Sequence, residues 1–112
     1  MSDVIDATES YAGQLVRAIK SDNLVLLKEA ISALPSIHGI INEGKPALHL
    51  SAFYGSGRVL LYLLSLQELD VWERDAGGRL AIDHALSKNY FEIYEALDSA
   101  MYPSGFFNTS VN

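Results

Sequence analysis

Cysteine is absent from this chain of 112 residues, and basic residues are scarce. Without cysteine the protein cannot form disulfide bonds or a thiolate metal site, and a reducing compartment is permitted. The three histidines are His38, His49 and His84, and none has the spacing of a helical metal-binding pair. The sequence therefore predicts neither a metal site nor a cofactor.

The shortage of lysine and arginine gives the chain a negative charge. Eight basic residues stand against 14 acidic residues, for a formal net charge of −6. A nucleic-acid-binding surface needs basic residues to displace counterions, so we expect no nucleic-acid partner. An acidic surface either favours a basic partner or simply keeps a small protein in solution, and composition leaves both interpretations open.

Long apolar runs are also missing. The longest, such as residues 59–64, are far shorter than the roughly 20 residues that cross a bilayer. The acidic segment 1–9 has no basic region followed by an apolar run, unlike a secretory signal. With 49% hydrophobic and 20% charged residues, the composition is that of one globular domain. We expect a cytoplasmic protein that makes no membrane contact.

The chain does contain an internal repeat. Residues 42–64 align with residues 76–98 at an offset of 34, and a third copy lies upstream at an offset of 33. The aligned sets are Leu15, Leu48 and Ile82; Ala18, Ser51 and Ala85; Asp22, Gly55 and Asn89; and Leu26, Val59 and Ile93. Each copy has small and apolar residues at helical spacing, then a residue that tolerates a left-handed turn, then a second apolar stripe. This pattern predicts helix, tight turn and helix in each unit, with Ser56 and Asn89 as candidate N-caps.

Two of these copies carry a known motif. The segment GKPALHLSAFYG at residues 44–55 resembles the ankyrin signature G-x-T-P-L-H-x-A-A-x-x-G, and DAGGRLAIDHA at residues 75–85 resembles it more loosely. The segment LDVWERD at residues 69–75 resembles the extended finger between ankyrin repeats. The resemblance covers about residues 12–98 and implies an all-α ankyrin-repeat solenoid of about three helix-turn-helix repeats with short β-turn fingers. It also implies that His49 hydrogen-bonds the finger backbone.

The expected layout is one domain over residues 1–103, with repeats near 8–37, 41–74 and 75–103. Helices are expected near residues 7–20, 23–33, 46–54, 57–67, 80–88 and 90–100, and fingers near 38–45 and 70–79. Asp6 and Glu9 are a candidate capping box for the first helix, and Pro35 should end the second. Residues 104–112 form a tail or cap, in which Phe106 and Phe107 cover the last repeat, contact a partner or remain disordered.

No catalytic pattern is present in the sequence. Asp83 and His84 are adjacent, and adjacent residues on a helix point to different faces, so we do not expect an acid–base pair. No serine lies in G-x-S-x-G, and the glycine-rich segment at residues 55–58 lacks the spacing and the lysine of a phosphate-binding loop. We therefore expect a protein that is not an enzyme.

The resemblance instead implies binding along a concave surface made of finger tips and the first helix of each repeat. The predicted partner-binding residues are Lys20, Glu43, Lys45, Phe53, Tyr54, Trp72, Arg74, Arg79 and Lys88. Phe53 and Tyr54 are the strongest candidates, because two consecutive aromatic residues cannot both pack inward and exposed aromatics dominate binding hot spots. Trp72 is either an interface anchor or a plug between repeats. Because most basic residues fall on this surface, an acidic patch on the partner is as plausible as a basic partner.

We expect a monomer, when free, that binds another protein such as an enzyme, toxin or effector and inhibits it. Small ankyrin-repeat proteins of this kind resemble bacterial immunity proteins, which neutralise a cognate toxin. The alternatives are an adaptor or regulatory subunit of a larger complex, and a viral or pathogen factor that blocks host defence.

Overall fold

A computed structural model describes residues 10–103 of the chain, and at Ile40 it describes the backbone alone. Six helices make up 62% of these residues, so the fold is mostly helical. The helices are α1 (Tyr11–Ser21), α2 (Leu24–Ala33), α3 (Ala47–Tyr54), α4 (Gly57–Leu66), α5 (Ala81–Lys88) and α6 (Phe91–Met101). Two short strands, β1 (Ile40–Asn42) and β2 (Lys45–Pro46), pair antiparallel between α2 and α3.

The helices form three consecutive pairs. Within each pair the first helix packs on the second, as α1 on α2, α3 on α4 and α5 on α6. Between pairs, α3 contacts both α1 and α5, and α4 contacts both α2 and α6. The chain therefore has a layer of first helices and a layer of second helices, with α3 and α4 in the middle.

Small residues let the first helices lie close together. Ala18, Ser51 and Ala85, which the sequence alignment placed at one repeat position, are all fully buried. The buried hydroxyl of Ser51 donates to the carbonyl oxygens of Ala47 and Leu48, so this polar group is paired within its own helix. The larger core residues come mainly from the second helices and from the outer pairs: Leu15, Ile19, Leu27, Leu50, Val59, Leu60, Leu63 and Leu97.

The tight turns within the three pairs are equivalent. Asp22, Gly55 and Asn89 follow α1, α3 and α5 with φ of 55°, 71° and 63°, which is the left-handed conformation that ends a helix. Asn89 is therefore a C-cap, and the prediction that it is an N-cap is wrong. The tolerance of asparagine for positive φ outweighs its capping preference at this position.

Side chains across the turns tie one pair to the next. The Ser56 hydroxyl donates to the carbonyl oxygen of Ile19, and the backbone N–H of Val59 donates to the Asp22 carboxylate at 2.9 Å. Ser56 does occupy the N-cap position of α4, but its side chain makes this bond to α1 instead of a capping bond. The turns thus contribute to stacking as well as to chain reversal.

The helix ends agree with the expected layout except at the start of the chain. Helix α1 begins at Tyr11, and Ser10 caps it by accepting a hydrogen bond from the Gly13 backbone at 3.1 Å. The expected start near residue 7 is wrong for this helix, because Ser10 has an extended backbone. The predicted capping residues Asp6 and Glu9 and the pair Phe106 and Phe107 lie outside the described residues. Helix α2 ends just before Pro35, as expected.

None of the helices within residues 10–103 has the length and apolar character that a bilayer crossing requires.

Candidate functional site

The β1–β2 hairpin brings charged side chains to the ends of α1 and α3. Its turn is formed by Glu43 and Gly44 with φ of 55° and 73°, the two positive values that a tight hairpin turn requires. The Tyr54 hydroxyl donates to the Glu43 carboxylate, at 3.0 Å from Oε1 and 2.9 Å from Oε2. The Lys20 ammonium pairs with Glu43 Oε2 at 2.8 Å. Glu43 therefore joins the hairpin tip to two first helices.

These contacts shift the titration of all three groups. The hydrogen bond from Lys20, and then that from Tyr54, lower the pKa of Glu43 below its usual value. Glu43 in turn raises the pKa of Lys20 and of Tyr54 through the same bonds. Glu43 is therefore ionised near neutral pH, and since the groups are exposed, salt weakens the pair.

A second cluster lies beside the first, and we call Lys45, Phe53 and Lys88 the Phe53 cluster. Lys45 Nζ is 4.5 Å and Lys88 Nζ 4.2 Å from the centroid of the half-buried Phe53 ring. Both distances are within the range of a cation–π contact. The ring also lies edge-on to Tyr54 at 5.1 Å and to His84 at 5.7 Å between centroids. The cluster thus joins the hairpin, α3 and α5.

The 70–79 loop is held by a buried carboxylate. Asp75 accepts a hydrogen bond from His84 Nε2 at 2.7 Å and from the backbone N–H groups of Gly77 and Arg79 at 2.9 and 3.0 Å. Burial opposes ionisation of Asp75, but these hydrogen bonds outweigh it and lower its pKa to about 2. Asp75 is therefore ionised near neutral pH, and its carboxylate holds the loop together through these hydrogen bonds.

His49 fixes the same loop from α3. Its Nε2–H donates to the carbonyl oxygens of Glu73 at 2.8 Å and Arg79 at 3.1 Å, as the family resemblance implied. Burial lowers the pKa of His49, and its buried Nδ1 has no partner among the described residues. Both observations favour the neutral ring, because a second N–H would be buried without an acceptor.

The hairpin and the loop lie side by side. The backbone N–H of Ala76 donates to the carbonyl oxygen of Gly44 at 2.9 Å. A Cβ atom on Gly44 would be only 3.2 Å from that of Ala76, so the close approach depends on glycine as well as on the positive φ. The two segments thus form one continuous edge above the first helices.

The remaining predicted residues of the loop do not join these clusters. Arg74 donates from Nη1 to the carbonyl oxygen of Gly78 at 2.8 Å, which closes the loop. Arg79 is exposed and contributes its backbone to the contacts with Asp75 and His49. Trp72 is 46% exposed and lies edge-on to Tyr102 at 5.4 Å, beside the end of α6. The structure therefore brings together six of the nine predicted residues where α1, α3, α5 and the hairpin meet: Lys20, Glu43, Lys45, Phe53, Tyr54 and Lys88.

The contact of Asp75 with His84 was missed by sequence reasoning, which considered Asp83 as the neighbour of His84. Asp83 instead accepts from the backbone N–H of Leu80 at 2.9 Å and caps the start of α5. The signal for Asp75 was available in the sequence, because Asp-x-Gly predicts a turn in which the carboxylate binds the N–H two residues on.

Within residues 10–103, no three of the potential ligand side chains are grouped closely enough to hold a metal ion.

A separate groove of about 560 Å³ lies between α4 and α6, lined partly by Arg58, Leu61, Phe91 and Glu92. It involves none of the predicted partner-binding residues.

No protein-family model matches the chain, and the comparison with curated proteins gives no match.

Proposed function

We propose that this protein is a non-catalytic ankyrin-repeat module that binds another protein and inhibits it. The observation that carries this proposal is the convergence of six polar and aromatic side chains from all three helix pairs on one surface. They are Lys20, Glu43, Lys45, Phe53, Tyr54 and Lys88. A surface that combines aromatic and cationic groups is typical of binding hot spots.

The ankyrin assignment is supported by local geometry as well as by the motif. Three helix pairs follow one another with equivalent left-handed turns. A hairpin precedes the middle pair, a hydrogen-bonded loop precedes the last, and His49 reaches from α3 to that loop. Stacked units of this kind present the first helices and the connecting segments as one extended surface.

The inhibitory role is a narrower proposal that follows from the same surface. Asp75, His49 and the buried serines are engaged in holding the fold, which favours binding over chemistry as the use of the exposed groups. A module that acts by binding alone can inhibit by covering a partner's own site, as an immunity protein covers a toxin. This step rests on analogy between folds.

Affinity capture with an aromatic double variant tests the binding proposal. The protein is immobilised, and partners are captured from the lysate of its source and identified by mass spectrometry. Phe53→Ala with Tyr54→Ala should weaken capture of a specific partner at least 30-fold, since hot-spot truncations cost ~2 kcal/mol or more. The control is Leu61→Ala with Phe91→Ala, which removes two exposed apolar side chains from the other groove.

The two double variants distinguish the assigned surface from the groove between α4 and α6. The proposal is supported if the Phe53 and Tyr54 variant loses capture, the control variant keeps it, and the urea unfolding curve of the first remains cooperative. Equal capture by both variants contradicts the assigned surface. For the inhibitory role, the captured partner is co-expressed with the protein: protection from a toxic partner supports an immunity role, and a stable complex with unchanged partner activity indicates an adaptor.

A further inference from the structure

We propose that Lys45 and Lys88 bind a carboxylate of the partner protein, an Asp or Glu side chain seated beside the Phe53 ring. This inference rests on the proposed protein-binding function and names the chemistry that the partner must supply. It commits to an acidic protein segment, although the chain itself carries a net charge of −6.

The two ammonium groups of the Phe53 cluster have little anionic compensation within residues 10–103: Lys45 only contributes, behind Lys20 and Tyr54, to lowering the pKa of Glu43. Among the described residues, neither Lys45 nor Lys88 forms an ion pair, and the polar contact of Lys45 is a long one, 3.4 Å to the Glu43 carbonyl oxygen. Both lie within 4.5 Å of one ring centroid. They are therefore closer together than the roughly 10 Å Debye length of a 0.1 M salt solution, and they repel each other.

A carboxylate is the group that relieves this repulsion. It accepts charge-assisted hydrogen bonds from lysine, which are among the strong ones, and its negative charge offsets both ammonium groups at short range. The cluster is therefore complementary to an acidic side chain in charge.

The carboxylates described on this surface make their short contacts with groups outside the cluster. Both oxygens of Glu43 accept the Tyr54 hydroxyl, and one also pairs with Lys20. Asp75 is nearly buried and its oxygens are bound by His84 and by two backbone N–H groups. No carboxylate within residues 10–103 is thus committed to the cluster, and we assign that role to a carboxylate of the partner.

An acidic protein segment fits better than a nucleic acid. A nucleic acid presents a long row of phosphates, and binding it needs a correspondingly long row of basic residues to displace counterions, which two lysines do not supply. A single carboxylate needs only the local pair of lysines. The same chemistry predicts that the contact weakens with added salt, because the ammonium groups are at the surface.

The test uses defined probes and does not depend on knowing the partner. A Glu-Gly peptide, a Lys-Gly peptide, a Ser-Gly peptide and a single-stranded DNA oligonucleotide, all of equal length, are titrated into the isotope-labelled full chain. NMR follows the Phe53 ring and the lysine side chains. We expect saturable shifts with the Glu-Gly peptide alone, with a Kd of about 1 mM.

Charge reversal locates the site. Lys45→Glu with Lys88→Glu should weaken binding of the Glu-Gly peptide at least tenfold. Lys28→Glu is the control for charge reversal at a different surface, because Lys28 makes a cation–π contact with Tyr62 at 5.1 Å; it changes the net charge by half as much as the double variant does. Lys45→Gln with Lys88→Gln removes the charges without adding new ones, and should weaken binding less than the reversal does.

Several results would overturn the inference. They are equal weakening by Lys28→Glu, shifts that avoid the Phe53 cluster, stronger binding of the basic peptide, and stronger binding of the oligonucleotide, which would indicate a nucleic-acid site. Failure here is distinct from failure of the proposed function. If a partner is captured and the reversal at Lys45 and Lys88 leaves its affinity unchanged, the carboxylate site is refuted while the binding function stands.

Discussion

The turn at Gly55 offers a stability prediction whose magnitude follows from geometry. Gly55 has φ of 71°, and a Cβ atom there would lie 2.9 Å from Cζ of the Tyr90 ring. For Gly55→Ala the left-handed backbone costs about 1–2 kcal/mol. Displacing the ring, which packs against the core, adds about 1 kcal/mol. We therefore expect the variant to lose about 2–3 kcal/mol of unfolding free energy.

A double-mutant cycle separates the two contributions. In a Tyr90→Ala background the ring is gone, so Gly55→Ala should cost about 1 kcal/mol less than in the parent chain. Asn89→Ala is the control at the equivalent turn, where φ is also positive and a Cβ is already accommodated. It should cost below about 1 kcal/mol, because only the tolerance of asparagine for this conformation is lost.

Urea unfolding followed by far-ultraviolet circular dichroism measures the unfolding free energies of the four proteins of the cycle and of Asn89→Ala. The reasoning is refuted if Gly55→Ala costs no more than Asn89→Ala, since the close approach of Tyr90 would then have no energetic effect. It is refuted equally if the cost is the same with and without the Tyr90 ring. A loss below about 1 kcal/mol in the parent chain would show that the backbone is not held at positive φ.

Two further predictions concern pH and the buried groups around the 70–79 loop. Because folding lowers the pKa of His49 from its usual 6.5, the unfolded chain takes up a proton more readily, so stability should be complete above pH 6.5 and fall below it. The urea midpoint should fall with decreasing pH in the parent chain and should not fall in His49→Gln. If the midpoint of His49→Gln falls just as steeply, another group causes the pH dependence. The stability supplied by Asp75 should persist above pH 3.8 and disappear as the pH falls to about 2. At neutral pH, Asp75→Asn should cost about 1–3 kcal/mol, and a variant as stable as the parent would contradict the role of this carboxylate in the loop.

Local patterns were sufficient to predict the helices and the turns between them. Asp22, Gly55 and Asn89 were aligned by sequence alone, and all three adopt the left-handed conformation that their residue types favour. The start of α1 was less well predicted, because several residues near the N-terminus are suitable N-caps and local chemistry does not choose among them. Ser10 is the residue that caps it.

The site depends on contacts that no local pattern contains. Asp75 meets His84 only because the loop folds back over α5, whereas the sequence drew attention to the adjacent Asp83. Lys45 and Lys88 were each predicted as partner-binding residues, but their convergence on one ring follows from the stacking of α3 against α5. Repeat position predicts which surface a residue occupies, and packing decides which other side chain it meets there.

The overall charge and the local charge of this protein act over different distances. At distances well beyond the Debye length, about 8 Å at physiological salt, the net charge is largely screened and does little to select a partner. At contact distance, the charged groups without a salt bridge determine which partner group binds. On the proposed surface these are the ammonium groups of Lys45 and Lys88. A net charge of −6 is therefore compatible with the proposed acidic segment, because Lys20 forms a salt bridge with Glu43 while Lys45 and Lys88 form none within residues 10–103. A search for the partner should therefore look for an exposed acidic segment that can pair with these two lysines, and the net charge of the whole chain should not guide it.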